Sequence, residues 1–148
     1  MLKSTATYFI TLLLLLLTFT QCTTSRQRML KQQYKEIYVH QFKLTYLKKL
    51  LQAGFNNSEE VNSLIAFDNS GFTEPVLTMD DYRLIEHLVQ ADQQQMRADS
   101  VATIGRVAEG AEGKHVFSHI LRKLEGKWLD SLAIERYKLS DFRHTPLN

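Results

Sequence analysis

Between Met29 and Leu51 the apolar residues Leu30, Tyr34, Ile37, Tyr38, Phe42, Leu44, Leu47, Leu50 and Leu51 recur at spacings of three and four. That period belongs to one face of a long amphipathic helix and excludes a strand over the same stretch. Gly54 is expected to end the helix, because glycine takes the left-handed conformation that a helix C-terminus often requires. Asn57, with Glu60 three residues on, predicts the cap of a short helix through Val61, Leu64 and Ile65 that stops at Asp68-Asn69-Ser70-Gly71.

After an extended stretch from Phe72 to Val76, Thr78 caps a second long helix with Asp80 and Asp81 at the positive end of its dipole. Its inner face reads Tyr82, Ile85, Leu88, Val89, Met96, Val101 and Ile104, with the polar stretch Gln90 to Gln95 facing solvent or a partner. Gly105, Gly110 and Gly113 then interrupt the helical period. Val116, Phe117, Ile120, Leu121 and Leu124 mark another helix, and Trp128, Leu129, Leu132, Ala133 and Tyr137 a last one after a break at Gly126. No alternating pattern of useful length is present. The chain is therefore expected to be all-α, a compact bundle of about five helices whose short connections favour antiparallel neighbours.

The first residues carry a different message. Lys3 precedes the apolar run Tyr8 to Leu17, and polar residues follow it, an arrangement that fits a secretory signal over residues 1–21. The run is too short to span a hydrocarbon core of about 30 Å as a helix rising about 1.5 Å per residue. Cys22 is the single cysteine, so no intramolecular disulfide can form. A bacterial lipobox asks for an aliphatic residue three places before its cysteine and a small one immediately before it. Phe19 and Gln21 make this a degenerate example, with residues 22–28 as a polar tether and residues 29–148 as a single folded domain. Two outcomes follow: a periplasmic protein anchored to the membrane by lipid on Cys22, or ordinary signal cleavage between Thr20 and Thr24.

Charge is near balance overall but unevenly spread. From Arg26 to Lys49 there are seven basic residues and one acid, Glu36, whereas Glu59 to Glu112 holds eleven acids against Arg83, Arg97 and Arg106. A basic segment beside a lipid anchor suits anionic head groups, and an acidic middle suits a basic partner. Equally, the segments can complement one another within the fold or a homodimer.

Motifs for chemistry are weak. His115 and His119 have the four-residue spacing that can bring two imidazoles to one metal ion, but no H-E-x-x-H accompanies them, and Glu112, His40, His87 and His144 compete as a third ligand with no pattern favouring any. No serine has the G-x-S-x-G setting, and Gly105 to Gly110 lacks the P-loop order. The basic first helix belongs to no nucleic-acid-binding module, so neither an enzyme, a cofactor nor a nucleic-acid partner is indicated. The distinctive segment is Gly105-Arg-Val-Ala-Glu-Gly-Ala-Glu-Gly-Lys-His115, which joins backbone freedom to the carboxylates Glu109 and Glu112 and the cations Arg106 and Lys114. Three glycines in a plain connection cost roughly 0.5–1 kcal/mol each relative to alanine, so special turns, close packing or insertion into a partner's cleft is the economical explanation.

Together with export and helical character, Ser100-Val-Ala-Thr-Ile-Gly105, Ala108-Glu-Gly-Ala-Glu-Gly-Lys-His115 and Leu129-Asp-Ser-Leu-Ala133 resemble the periplasmic immunity proteins that protect bacteria from type VI secretion amidase effectors. The resemblance covers most of the chain after about Tyr34 and is concentrated in residues 78–137. It implies an all-helical homodimer that binds a peptidoglycan-cleaving amidase of the Cys-His type and blocks its active-site groove with a protruding loop. On this chain that loop is expected at Arg106 to Gly113, with Arg106, Glu109, Gly110, Glu112, Gly113 and Lys114 as the toxin-binding residues. The alternative is a structural or envelope-maintenance lipoprotein acting through protein contacts.

Overall fold

The computed structural model describes residues 2–71, 74–104 and 113–140, with side chains from residue 25 onward. Five helices are present among them, α1 (Leu2–Gly54), α2 (Glu59–Phe67), α3 (Met79–Thr103), α4 (Val116–Glu125) and α5 (Lys127–Leu139), and no strand. The all-helical expectation holds.

α1 is the spine, and each of the other four helices packs against it. Its length exceeds the expected Met29–Leu51 because neither glycine nor proline occurs before Gly54, so nothing in the backbone chemistry interrupts it. Residues 22–28, expected as a tether, continue the same helix. The buried stripe of α1 is Tyr38, Phe42, Tyr46, Leu50 and Gly54, one residue every four. Leu30, Tyr34, Ile37, Leu44, Leu47 and Leu51 lie half-buried on its flanks.

The end of α1 departs from expectation in an informative way. Gly54 is helical and does not take a positive φ; Asn56 (φ 56°) and Asn57 (φ 55°) do. Asn57 N–H donates to Gln52 O at 2.7 Å and Asn56 N–H to Ala53 O at 3.2 Å, the paired bonds of a Schellman motif with Asn56 as its left-handed residue. Gly54 serves packing instead: a Cβ there would stand 2.6 Å from Val116 Cγ1. Ser58, not Asn57, caps α2, its hydroxyl accepting from Val61 N–H at 3.4 Å.

Chain direction follows from the cross-links. Asp68 reaches back to Lys48 (2.9 Å), and Gly71 lies against Gln41, so α2 and its exit return the chain toward the middle of α1. α3 therefore starts level with Tyr38 and runs parallel to α1, as Lys49–Glu86 (2.9 Å) and Gln93 Nε2 to Ala53 O (3.0 Å) record. The expected antiparallel pairing fails here because residues 55–78 form a return connection rather than a tight turn. α4 and α5 then descend antiparallel to α1, from Val116 at Gly54 to Tyr137 at Tyr38, separated by the expected break at Gly126.

Candidate functional site

Two buried carboxylates on α3 organise the bundle, and each collects one tyrosine from α1 and a cation from the C-terminal helices. Asp81, fully buried, closes the capping box of Thr78, accepting from its backbone N–H (2.9 Å) and its hydroxyl (2.8 Å) through Oδ2. Its Oδ1 accepts from Arg136 Nε of α5 at 2.7 Å. Burial is the strongest influence on this carboxyl and pushes its pKa up, yet the bonds from Thr78 and Arg136, with the Tyr38 hydroxyl adding to their effect, hold it below the usual carboxylate range. The Tyr38 hydroxyl is raised, chiefly by burial and then by Asp81.

The second centre is Asp92, 4% exposed. The Tyr46 hydroxyl donates to Oδ2, while Lys123 Nζ at 2.6 Å and His119 Nε2 at 3.2 Å face Oδ1. His119 is 3% exposed, its Nδ1 is buried without a partner among the described residues, and Nε2 is the ring nitrogen that faces the carboxylate. Trp128 completes the cluster, edge-on to Tyr46 at 6.0 Å with Lys123 over its face at 5.4 Å. An acid and a histidine in contact invite a catalytic reading, but both are shut inside the core. Burial also raises the Tyr46 hydroxyl, with Asp92 adding to the effect.

Hydrophobic periodicity passes over these centres. Asp92 falls inside the polar stretch Gln90 to Gln95, and Arg136 offers no pattern of its own. A signal was present nonetheless: Asp81, Ile85, Val89, Asp92 and Met96 form one unbroken buried helical stripe, so the two acids occupy core positions.

Of the expected toxin-binding residues, Arg106, Glu109, Gly110 and Glu112 lie outside the described residues, and so does the side chain of Cys22. Gly113 and Lys114 are described. Gly113 has φ +114°, a conformation that side-chain-bearing residues rarely adopt, and no atom stands within 4 Å of where a Cβ would be. Lys114 is anchored: its Nζ donates to Asn56 Oδ1 at 2.6 Å and to Gly54 O at 3.4 Å, a cation at the negative end of the α1 dipole.

The helices on either side of this segment carry unburied apolar residues. α3 passes the end of α1, since Gln93 already stands at Ala53, and Val101 and Ile104 are 67% and 63% exposed, contrary to the expected core role. On α4, Phe117 and Leu121 share a face at spacing four and are 69% and 58% exposed, with Phe55 against the Phe117 ring at 5.6 Å. His115 is exposed at the start of α4 while His119 points into the core, and no group of three metal-binding side chains exists among the described residues. A groove of about 520 Å³ between α1, α4 and α5 is floored by Val39, Leu47, Leu124 and Ile134. Among the described residues no helix is long and apolar enough to cross a membrane.

Compared with known proteins, the chain matches no family model, no curated protein and no solved structure.

Proposed function

We propose that this chain is an immunity protein that binds a peptidoglycan amidase effector of type VI secretion, a hydrolase of the Cys-His type, and silences it by filling its active-site groove. It thereby protects the producing or sibling cell. The observation that carries the reading is the setting of residues 105–112. In sequence they fall between exposed apolar pairs, Val101 with Ile104 and Phe117 with Leu121, and Lys114, two residues after them, is bonded to the end of α1. A fixed base beside exposed apolar side chains is what a protruding inhibitory segment needs, because rigidity lowers the ordering cost of binding and apolar neighbours supply contact area. The buried state of Asp92 and His119 agrees with a protein that acts by occupying a site rather than by catalysis.

The reading asks for no cofactor. It includes a periplasmic location, lipid on Cys22 and a homodimer. Membrane fractionation with labelled palmitate tests the anchor: unchanged mass and membrane association in Cys22→Ser would remove it. Light scattering tests the dimer, which a monomeric mass at micromolar concentration would exclude. The deciding experiment for the function is to look for a Cys-His amidase encoded by a neighbouring gene and to measure its binding and inhibition by this chain. A full chain that neither binds nor inhibits it would end the proposal.

A further inference from the structure

The basic segment from Arg26 to Lys49 separates into two halves with different fates. Its C-terminal cations are consumed by the fold: Lys43 pairs with Asp130 at 2.7 Å, Lys48 with Asp68 at 2.9 Å and Lys49 with Glu86 at 2.9 Å. Internal complementarity therefore accounts for this half. The N-terminal half is left over. Arg26, Arg28 and Lys31 are exposed and Lys35 is half-exposed, and none of the four has an ion pair or side-chain hydrogen bond among the described residues. Lys31 offers the bundle only its backbone carbonyl, to the Tyr137 hydroxyl at 3.4 Å. Glu36, the one acid between Arg26 and Lys49 in the sequence, accepts from Gln32 Nε2 at 2.8 Å.

We infer that this stretch of α1 is an electrostatic docking strip for an anionic phospholipid surface. Arg28, Lys31 and Lys35 follow one another at spacings of three and four, which sets them in a row along one side of a helix that is unbroken here. A row parallel to the axis can meet a flat charged surface with all its members at once. The membrane is the favoured source of that charge because, on the reading proposed above, lipid on Cys22 anchors the same helix six residues before Arg28. At about 1.5 Å per residue this interval is roughly 9 Å, so an anchored helix lying along the surface starts the strip within about one Debye length of the head groups. Each cation near such a surface is worth about a fivefold change in partition.

The test is partition of the full chain onto vesicles of phosphatidylglycerol and phosphatidylcholine in a one-to-three ratio, compared with phosphatidylcholine alone. The protein should prefer the anionic vesicles by at least about tenfold at about 0.1 M salt and lose the preference at about 1 M. The triple variant R28Q/K31Q/K35Q should lose it too, with helical content and thermal midpoint unchanged. The variant R122Q/K127Q/K138Q removes the same charge from exposed positions of α4 and α5 and should keep the preference. Equal binding to both vesicle types overturns the inference, and so does an equal loss in the two triple variants, which would mean net charge alone. Abolition of the preference by millimolar inorganic phosphate would indicate a discrete anion site and overturn it as well. None of these outcomes depends on the toxin.

Discussion

The Tyr46 hydroxyl on α1 donates a hydrogen bond to Asp92 on α3, joining positions 46 residues apart in sequence inside the core. A carboxylate taken out of water is costly unless it is paired, and Asp92 is paired three ways, by Tyr46, His119 and Lys123. Asp92→Ala removes the acceptor on which all three converge and leaves polar groups from α1 and α4 in the core. Its cost should be about 3 kcal/mol, read as a lower denaturant midpoint with unchanged slope. A loss below about 1 kcal/mol would mean that the cluster contributes little to the native state.

Gly54 and Val116 make a second testable pair. Helix propensity alone favours alanine over glycine by about 1 kcal/mol, whereas the 2.6 Å approach of a new Cβ to Val116 Cγ1 opposes it. The clash should win, leaving Gly54→Ala destabilised by about 1–2 kcal/mol. Val116→Ala in the same chain should recover part of that loss. Additive effects of the two substitutions in thermal or urea unfolding would place the strain elsewhere.

Stability should fall at both ends of the pH scale, for opposite reasons. Tyr38 and Tyr46 are held above the ordinary tyrosine value, mainly by burial, so the fold favours their neutral forms. That contribution is complete below about pH 10, the unfolded value, and is lost as the pH climbs through the folded values. Tyr46→Phe should flatten this alkaline limb. Asp81 is held below its ordinary value, so its contribution is complete above about pH 4 and is lost as the pH falls through the folded value. Asp81→Asn should flatten the acid limb, and parallel pH profiles for parent and variant would exclude Asp81 as the group responsible.

For the proposed inhibitory segment, Glu109→Ala combined with Glu112→Ala should weaken amidase binding by about 2 kcal/mol or more if either acid is a buried contact. Helical content should stay the same. Phe117→Ala with Leu121→Ala should also weaken binding, since these side chains are exposed beside the segment. Should the glutamate pair bind and protect as well as the parent, the contacts lie elsewhere, and the acidic stretch Asp68 to Asp81 is the next place to substitute.

Helix type and most helix limits could be read from the residues because apolar spacing, the Thr78 cap and the break at Gly126 are local signals. Partner choice was harder to read. Tyr46 escaped the apolar pattern, and Asp81 served as a capping residue without any hint that Arg136 would meet it 55 positions later. Buried polar pairs are invisible to a search for hydrophobic period, since their energy depends on which distant group arrives. Gly54 illustrates a related ambiguity. Glycine beyond the last apolar residue of a helix announces a left-handed turn, but it equally permits close packing, and Asn56 had the chemistry to make the turn instead.

The placement of the two cation-bearing helices governs when the chain can become a protein. Asp81 and Asp92 lie in the middle of the sequence, while Lys123 and Arg136 are among its last residues. Until α4 and α5 have been synthesised, any docking of α3 on α1 would enclose two acids whose cations do not yet exist. The cost of those unpaired acids offsets the apolar burial that early closure of a nascent or truncated chain would gain. Synthesis of α4 and α5 should therefore act as a latch, with stable closure of α3 on α1 expected only once both helices are present.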